Sequence, residues 1–332
     1  MKKVALLHNV CRGLSEHEVE FDLPITIDAL ERSIGKTNEC FLVEADQKFN
    51  WIAKFKKINP DIIFNIAEGF YGSAREAVYS ALLEQMEYKY TGPGPTELII
   101  THDKQLTKML LRKQRICMPW EFVVANREDI HKLSQQNCEF NYPLIVKHNT
   151  EGSSLGMDEY CIVHDKEELL KQIRSVFGKY GRSLIIEKYI AGRDISMTFI
   201  EGMGIMGPVE YTYPDCDIYN FRLKSVDNDR VNVNIVENMD EKIKKRLYST
   251  TQKIVSGLDI HGYCRIDYRL SDDCQINFLE VNGQVCFHSD GAFVVAGKTR
   301  GLEYDEIVCH IIDFMYNNRR KSCIIERMDR EK

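Results

Sequence analysis

Apolar and polar positions run along the chain in two periods, and the change between them sets its organisation. Residues 3–8, with the apolar run Val4–Leu7 at their centre, predict a first buried strand. From Asp22 to Ile34 the apolar positions recur at helical spacing, with Pro24 near the start, which predicts an amphipathic helix. Cys40–Val43 reads as a second strand. Asp61-Ile62-Ile63-Phe64-Asn65-Ile66 reads as a third, continuously apolar as parallel buried strands tend to be. A helix from about Ala74 to Glu87 follows, so the alternation predicts an α/β unit with a parallel sheet. Thr91-Gly92-Pro93-Gly94-Pro95 breaks the pattern.

Beyond a helical stretch from about Asp103 to Lys113 the pattern becomes α+β. Short strands are expected at 122–124, 143–147, 160–163 and 183–187, around a helix near 166–178. Strands at about 195–200 and 205–210 open a third region. Residues 211–236 are polar and lack a clear period, and a loop of that length suits a functional lid. A helix at about 240–256, a strand pair and a last helix at about 303–316 complete the reading, and the charged 321–332 segment is expected to fray. Three parts result: 1–100, 101–190, and 191–332 with the lid inside it.

The strand pair holds the densest chemistry. Arg265-Ile266-Asp267 and Glu280-Val281-Asn282 both alternate, so the two outer side chains of each triplet share a strand face. Ser271-Asp272-Asp273 between them is good turn chemistry for an antiparallel hairpin. Two carboxylates, an amide oxygen and a guanidinium would then line one wall. Hard oxygen donors of this kind suit Mg2+, which keeps waters and shares its shell with phosphates. A solvated strand face carrying ordinary charges is the other reading.

Composition narrows the field. The chain has 332 residues, enough for two or three domains, with 44% hydrophobic and 28% charged residues, ordinary for a soluble globular protein. A formal net charge of -6 argues against a general nucleic-acid binder, whose affinity rests on Lys and Arg neutralising phosphates. No apolar run approaches the ~20 residues that span a bilayer. The Met1-Lys2-Lys3 start is not followed by a cleavage site, so no export signal is read there. The 11 cysteines are scattered without a C-x-x-C pair, which suits reduced thiols and a cytoplasmic setting, and the nine histidines show no zinc spacing.

Other pieces are ambiguous singly. Lys147 ends an apolar strand and Glu151-Gly152-Ser153-Ser154-Leu155-Gly156 follows at once. Glycines let backbone N–H groups approach phosphate oxygens, and the hydroxyls of Ser153 and Ser154 add donors; a plain Gly-Ser turn explains the same residues. Lys104 sits behind Asp103 at a helix start, as a phosphate ligand or a surface lysine. Glu187 at a strand end could accept hydrogen bonds from a nucleoside or from water.

Read in order, these pieces resemble the ATP-grasp ligases, specifically the D-alanine–D-alanine ligase family, over nearly the whole chain. Ser15-Glu16-His17-Glu18-Val19 looks like its N-terminal substrate motif, and Tyr90-Thr91-Gly92 with Asp103-Lys104-x-x-Thr107-Lys108 like its domain junction. Pro143–Lys147, the Gly-Ser loop, Arg265–Asp267 and Leu279–Asn282 match its phosphate and metal segments. The resemblance implies an ATP-grasp fold, with an N-terminal parallel-sheet substrate domain before two ATP-grasp subdomains. It implies a ligase that joins a carboxylate to an amine through an acyl phosphate, producing ADP and phosphate. Lys104 and Lys147 would hold ATP phosphates, with Ser154 in the loop beside them, and Glu187 and Asp194 would hold adenine and ribose. Asp267, Glu280 and Asn282 would bind two Mg2+ ions, or Mn2+. Arg265 would stabilise the tetrahedral oxyanion, Lys224 would reach the transferred phosphate from the lid, and Glu16 and Ser153 would orient the first amino acid. A homodimer is common in that family.

The departures fall on the substrate side. Gly283–Asp290 is shorter than the family's loop and lacks its Pro-Gly pair, with Ser289 the candidate for the missing carboxylate-binding serine. Phe64–Gly69 and Gly72–Glu76 replace the usual Leu-His-Gly and Gly-Glu-Asp-Gly, Ser225 follows Lys224 where the family has tyrosine, and His148 replaces proline. Altered substrates are therefore expected. Two rival readings are an ATP-grasp ligase for a peptide or non-amino-acid substrate, and a catalytically silent nucleotide-binding regulator.

Overall fold

The computed structural model of the protein describes residues 1–13, 16–136, 139–158, 160–214, 218, 223 and 230–318, the side chains of Glu16 and His17 apart. Among the described residues three sheets follow one another along the chain. The first is parallel. β1 (Lys3–His8) lies between β2 (Glu39–Glu44) and β3 (Ile62–Asn65), and α1 (Pro24–Gly35) and α2 (Trp51–Ile58) make the crossovers. All four residues of β3 are buried, as its unbroken apolar run predicts. Trp51 and Phe55, four apart in α2, seat the short helix in the core beside Leu7, Val43 and Tyr79.

Then come α3 (Ala77–Gln85), α4 (Pro95–His102) and α5 (Lys104–Leu111). Sequence reasoning missed α2 and α4, and read residues 91–95 as a break. The helix begins inside that break: Pro95 occupies its first turn, where a missing N–H costs nothing, and Gly94 is extended ahead of it.

The second sheet is antiparallel, in the order β4 (Glu121–Val124), β7 (Leu184–Lys188), β5 (Leu144–His148) and β6 (Ile162–Val163). α6 (Arg127–Gln135), also missed, opens on a capping box formed by Asn126 and Asp129. α7 (Lys166–Tyr180) buries Leu169, Ile173 and Val176 against this sheet's core and ends at the left-handed Gly181.

The third sheet runs β10 (Asn232–Ile235), β9 (Gly204–Thr212), β8 (Arg193–Ile200), β11 (Tyr263–Leu270), β12 (Ile276–Asn282), with every pair antiparallel. β10 lies within the predicted 211–236 lid, so part of that segment is a strand on the sheet edge. α8 (Glu241–Gly257) packs Leu247 and Ile254 onto Met197, Ile266 and Phe278. α9 (Ala292–Lys298) and α10 (Tyr304–Asn318) close a core that also contains β1, β3 and α1. α9 escaped the sequence reading because Ala292–Gly297 are all buried, leaving no polar face to mark a period. Among the described residues no helix is long and apolar enough to cross a membrane.

Candidate active site

The predicted hairpin is present, and its register is the finding that organises the site. Arg265 pairs with Asn282 and Asp267 with Glu280, with the Ile266–Val281 pair between them, so the four polar side chains occupy alternate rungs on one face of the β11–β12 ladder. The register then slips between Asp267 and Tyr268, which next faces Phe278, leaving Leu279 as an extra residue. Bulges of this kind re-aim side chains beside active sites. Here Leu279 as well as Glu280 lines the cavity.

Asp267 is held from three sides. The Arg265 guanidinium pairs with it at 2.8 Å, Ser196 Oγ on β8 donates at 2.6 Å, and Asn282 Nδ2 donates at 2.9 Å. With its amide nitrogen on Asp267, Asn282 keeps its carbonyl oxygen for another partner. No cluster of three His, Cys, Asp or Glu able to hold a metal occurs among the described residues. Two carboxylates and an amide oxygen are therefore a partial shell, one that fits Mg2+ only when phosphate oxygens and water complete it.

Facing this wall are the lysines. β5 carries Lys147, and the strand's continuation, Asn149, is tied to the start of α5: Asn149 Nδ2 donates to Asp103 at 2.9 Å, while Asn149 O and Oδ1 accept from the N–H groups of Lys104 and Gln105. Asp103 itself caps α5 by accepting from Leu106 N. This junction sets Lys104 over the hairpin, its Nζ 3.3 Å from Glu280 and 2.7 Å from the Glu151 carbonyl.

One turn on, Lys108 is fully buried and pairs with Glu187 on β7, whose other carboxylate oxygen takes Lys147 at 2.6 Å. Burial pushes the Glu187 carboxyl up, but Lys108 and Lys147 outweigh it and hold it below the usual range. Burial also draws Lys108 down, while Glu187 opposes that. We take the fully ionised trio, because Glu187 is shared by two cations. Glu187 thus has work beyond any contact with a base: it holds Lys147 in place. Sequence reasoning missed Lys108's part, although its spacing of four from Lys104 puts both on one helix face.

The Gly-Ser loop is a tight structure. Ser153 and Ser154 have left-handed backbones (φ 48° and 55°), as does Gly156 (φ 72°). Gly152 N donates to Glu20 Oε1 at 2.7 Å, and a Cβ on Gly152 would meet that same oxygen at 2.7 Å, so a larger residue would push the Glu20 carboxylate aside. Glu20 in turn pairs with buried Arg75 at 2.6 Å, and Arg75 reaches Glu151 at 3.1 Å. Arg182 pairs with Glu151 as well. This network ties the loop to the 3-10 segment Glu16–Glu20 ahead of α1 and to the turn before α3, and was invisible locally.

At the other end, Asp194 accepts from Arg269 and Tyr213. Ile145, Ile190 and Leu279 add apolar walls. Arg265, Ser153, Lys104, Lys147, Ser154, Glu187, Asp194, Asp267, Glu280 and Asn282 all line one cavity of about 970 Å3. The predicted Lys224, with Ser15 and Ser225, lies outside the described residues, as does the side chain of Glu16. Ser289 is exposed, while its neighbours His288 and Asp290 line the cavity. His148 is 2% exposed, and its ring stands edge-on to Tyr180 beneath Gly156.

Known proteins resemble this chain over most of its length. The model of the D-ala D-ala ligase C-terminus matches residues 111–313. A D-alanine–D-alanine ligase of Aquifex aeolicus is 27% identical over 300 residues, 90% of this chain and 96% of the relative. That of Haemophilus ducreyi is 26% identical over 314 residues, covering 94% and 97%. The crystal structure of the Bacillus anthracis D-alanine–D-alanine ligase complexed with ATP superimposes with a TM-score of 0.75 at 20% identity, covering 97% of this chain and all of that one. The VanG D-Ala:D-Ser ligase of Enterococcus faecalis does so with a TM-score of 0.71 at 17% identity, covering 95% and 99%. The chain has the ATP-grasp fold and belongs to the D-alanine–D-alanine ligase family.

Proposed function

We propose that the protein is an ATP-dependent ligase that joins an amino-acid carboxylate to an amine, forming a dipeptide or amide with release of ADP and phosphate. The observation that carries this is the convergence of Lys104, Lys147, Arg265, Asp267 and Glu280 on one cavity. The relatives are named for D-Ala–D-Ala ligation, one neighbour for D-Ala:D-Ser ligation, and another was solved with ATP.

In this reading Lys104, Lys147 and the loop with Ser154 bind the phosphates, Glu187 and Asp194 face the nucleoside, and Asp267, Glu280 and Asn282 would hold two Mg2+ (or Mn2+). When bound, the metal supplies positive charge against the phosphates. The donor carboxylate attacks the γ-phosphorus, and the P–O bond to ADP breaks. Lys104 and Lys147 oppose the charge that spreads over the transferred group. The acceptor amine then attacks the acyl carbon, losing a proton as the C–N bond forms, and inorganic phosphate leaves. Arg265 steadies the oxyanion at that step. Glu16 and Ser153 orient the donor, and Lys224 reaches the transferred phosphate from a lid within 211–236, between β9 and β10, that excludes water.

Residues 1–100 serve as the substrate domain, 101–190 and 191–332 as the two ATP-grasp subdomains. The reading includes a cytoplasmic setting and a homodimer. A silent nucleotide binder is disfavoured by the intact charged wall. The test is phosphate release from Mg-ATP over single and paired amino acids including D-alanine, with products weighed by mass spectrometry. An amino-acid-dependent release with a condensed product is expected. ATP binding with no turnover for any pair would oppose the reading.

A further inference from the structure

A second cavity, of about 360 Å3, shares no lining residue with the active site. Its charge is of one sign. Arg115, Lys245, Arg246 and Lys253 line it with the hydroxyls of Ser249 and Thr250, and among the described residues no carboxylate does. Among those residues, too, none of the four cations takes part in an ion pair. The chain as a whole carries a formal charge of -6, so this gathering runs against its composition.

The stripe begins in the sequence of α8, where Lys242, Lys244, Lys245, Arg246 and Lys253 stand against Glu241 alone. Leu247, Thr251 and Ile254 take the buried side, which leaves residues 245–246, 249–250 and 253 on successive turns of the outer face. Like charges one turn apart repel. On an open surface water would relieve that repulsion, whereas a concave site focuses the field and draws anions in.

The opposite wall is fixed by contacts of its own. Phe278 N donates to the Cys117 carbonyl at 2.9 Å and Cys117 Sγ donates to Asn277 Oδ1 at 3.2 Å, fastening this segment to β12. Gln114, in the 3-10 turn Arg112–Gln114, lies so near the end of α8 that a Cβ on Gly257 would meet its side-chain nitrogen at 3.1 Å. Arg115 is thereby held beside the stripe, and buried Ile276 lines the cavity between them. Guanidinium forks and hydroxyl donors match the oxygens of phosphate. Arg246 and Lys253 are seven residues apart, about 10 Å along the helix, so the stripe fits phosphoryl groups in a row better than a single anion.

We propose that this cavity binds a short chain of phosphoryl groups, inorganic or carried by a nucleotide, as a site separate from the active one. The proposal does not depend on the ligase reading. Cys117 lines the cavity and is exposed, so its thiol reports on occupancy. The full chain is alkylated with iodoacetamide, with and without inorganic tripolyphosphate, and the rate at each thiol is followed by peptide mass spectrometry. Saturating tripolyphosphate should slow Cys117 about fivefold or more and leave exposed Cys274 unchanged. Citrate at equal ionic strength should need a concentration about tenfold higher or more for the same protection. ATP without Mg2+ that protects as well as tripolyphosphate assigns the site to nucleotides, and tripolyphosphate acting alone assigns it to the inorganic chain. Arg246→Gln combined with Lys253→Gln should abolish the protection, with buried Cys161 and Cys264 still unreactive as the control for folding. Arg115→Gln, on the other wall, should weaken it about threefold or more. Unprotected Cys117, equal slowing at Cys274, citrate as effective as tripolyphosphate, or protection that survives these substitutions overturns the proposal.

Discussion

Asp267 stands directly across the β11–β12 ladder from Glu280, and Arg265 grips Asp267 from two residues away on the same strand face. Two carboxylates held this close need positive charge between them, which Arg265 and Lys104 supply from either side. Asp267→Asn keeps the shape and removes the charge. Turnover should fall on the order of 10²-fold or more, with the remaining activity shifted to higher Mg2+. A magnesium titration of the variant checks this, and near-normal activity would remove Asp267 from the metal wall.

Glu187 is the keystone of the lysine cluster. Glu187→Gln leaves Lys108 buried beside Lys147 with no counter-ion, and breaking a buried pair from one side costs about 3–5 kcal/mol. Urea unfolding should show that loss. Lys108→Met, which removes a cation and keeps apolar volume, should cost less, because Glu187 retains Lys147. Equal losses would mean that Lys147 does not share Glu187.

His148 gives a pH signature. Burial, with Lys104, Arg182 and Arg75 nearby, lowers it from 6.5 to about 4. Between these values the unfolded chain binds a proton that the folded chain refuses. The contribution to stability is therefore full above about 6.5 and lost as pH falls toward 4, by up to about 3 kcal/mol. Denaturant midpoints at pH 7.5, 5.5 and 4.5 should show a steeper acid decline in the native sequence than in His148→Met. Parallel declines would show that the folded protein accommodates the protonated ring.

Lys224→Ala separates ground state from transition state. A lid lysine that reaches the transferred phosphate should lower kcat far more than it weakens ATP. Isotherms for ATP and single-turnover rates decide this. Equal losses in both would place the lysine in the resting nucleotide site.

The hairpin was legible because strand alternation is local: Arg265 and Asp267 had to share a face, and the turn at 271–273 joined the two runs. The register slip after Asp267 was not legible, since nothing in Leu279 marks it as the extra residue. Pro95 read as a breaker because the same residue that ends one helix can begin another. The Glu20–Arg75–Glu151 network was out of reach for a different reason. Its members lie 55 and 76 residues apart, and only the folded chain brings them together. The family resemblance covered the nucleotide and metal segments, where the motifs are contiguous. The substrate end, assembled from separate loops, had to be seen in three dimensions.

The acyl-phosphate route is tested most directly by isotope transfer. The donor carboxylate is labelled with 18O, the reaction is run with Mg-ATP and the amine that supports turnover, and the released phosphate is weighed by mass spectrometry. One labelled oxygen in each phosphate is expected, because the carboxylate oxygen that attacks phosphorus leaves with it when the amine displaces it. Unlabelled phosphate, or label found in AMP with pyrophosphate released, would contradict the account.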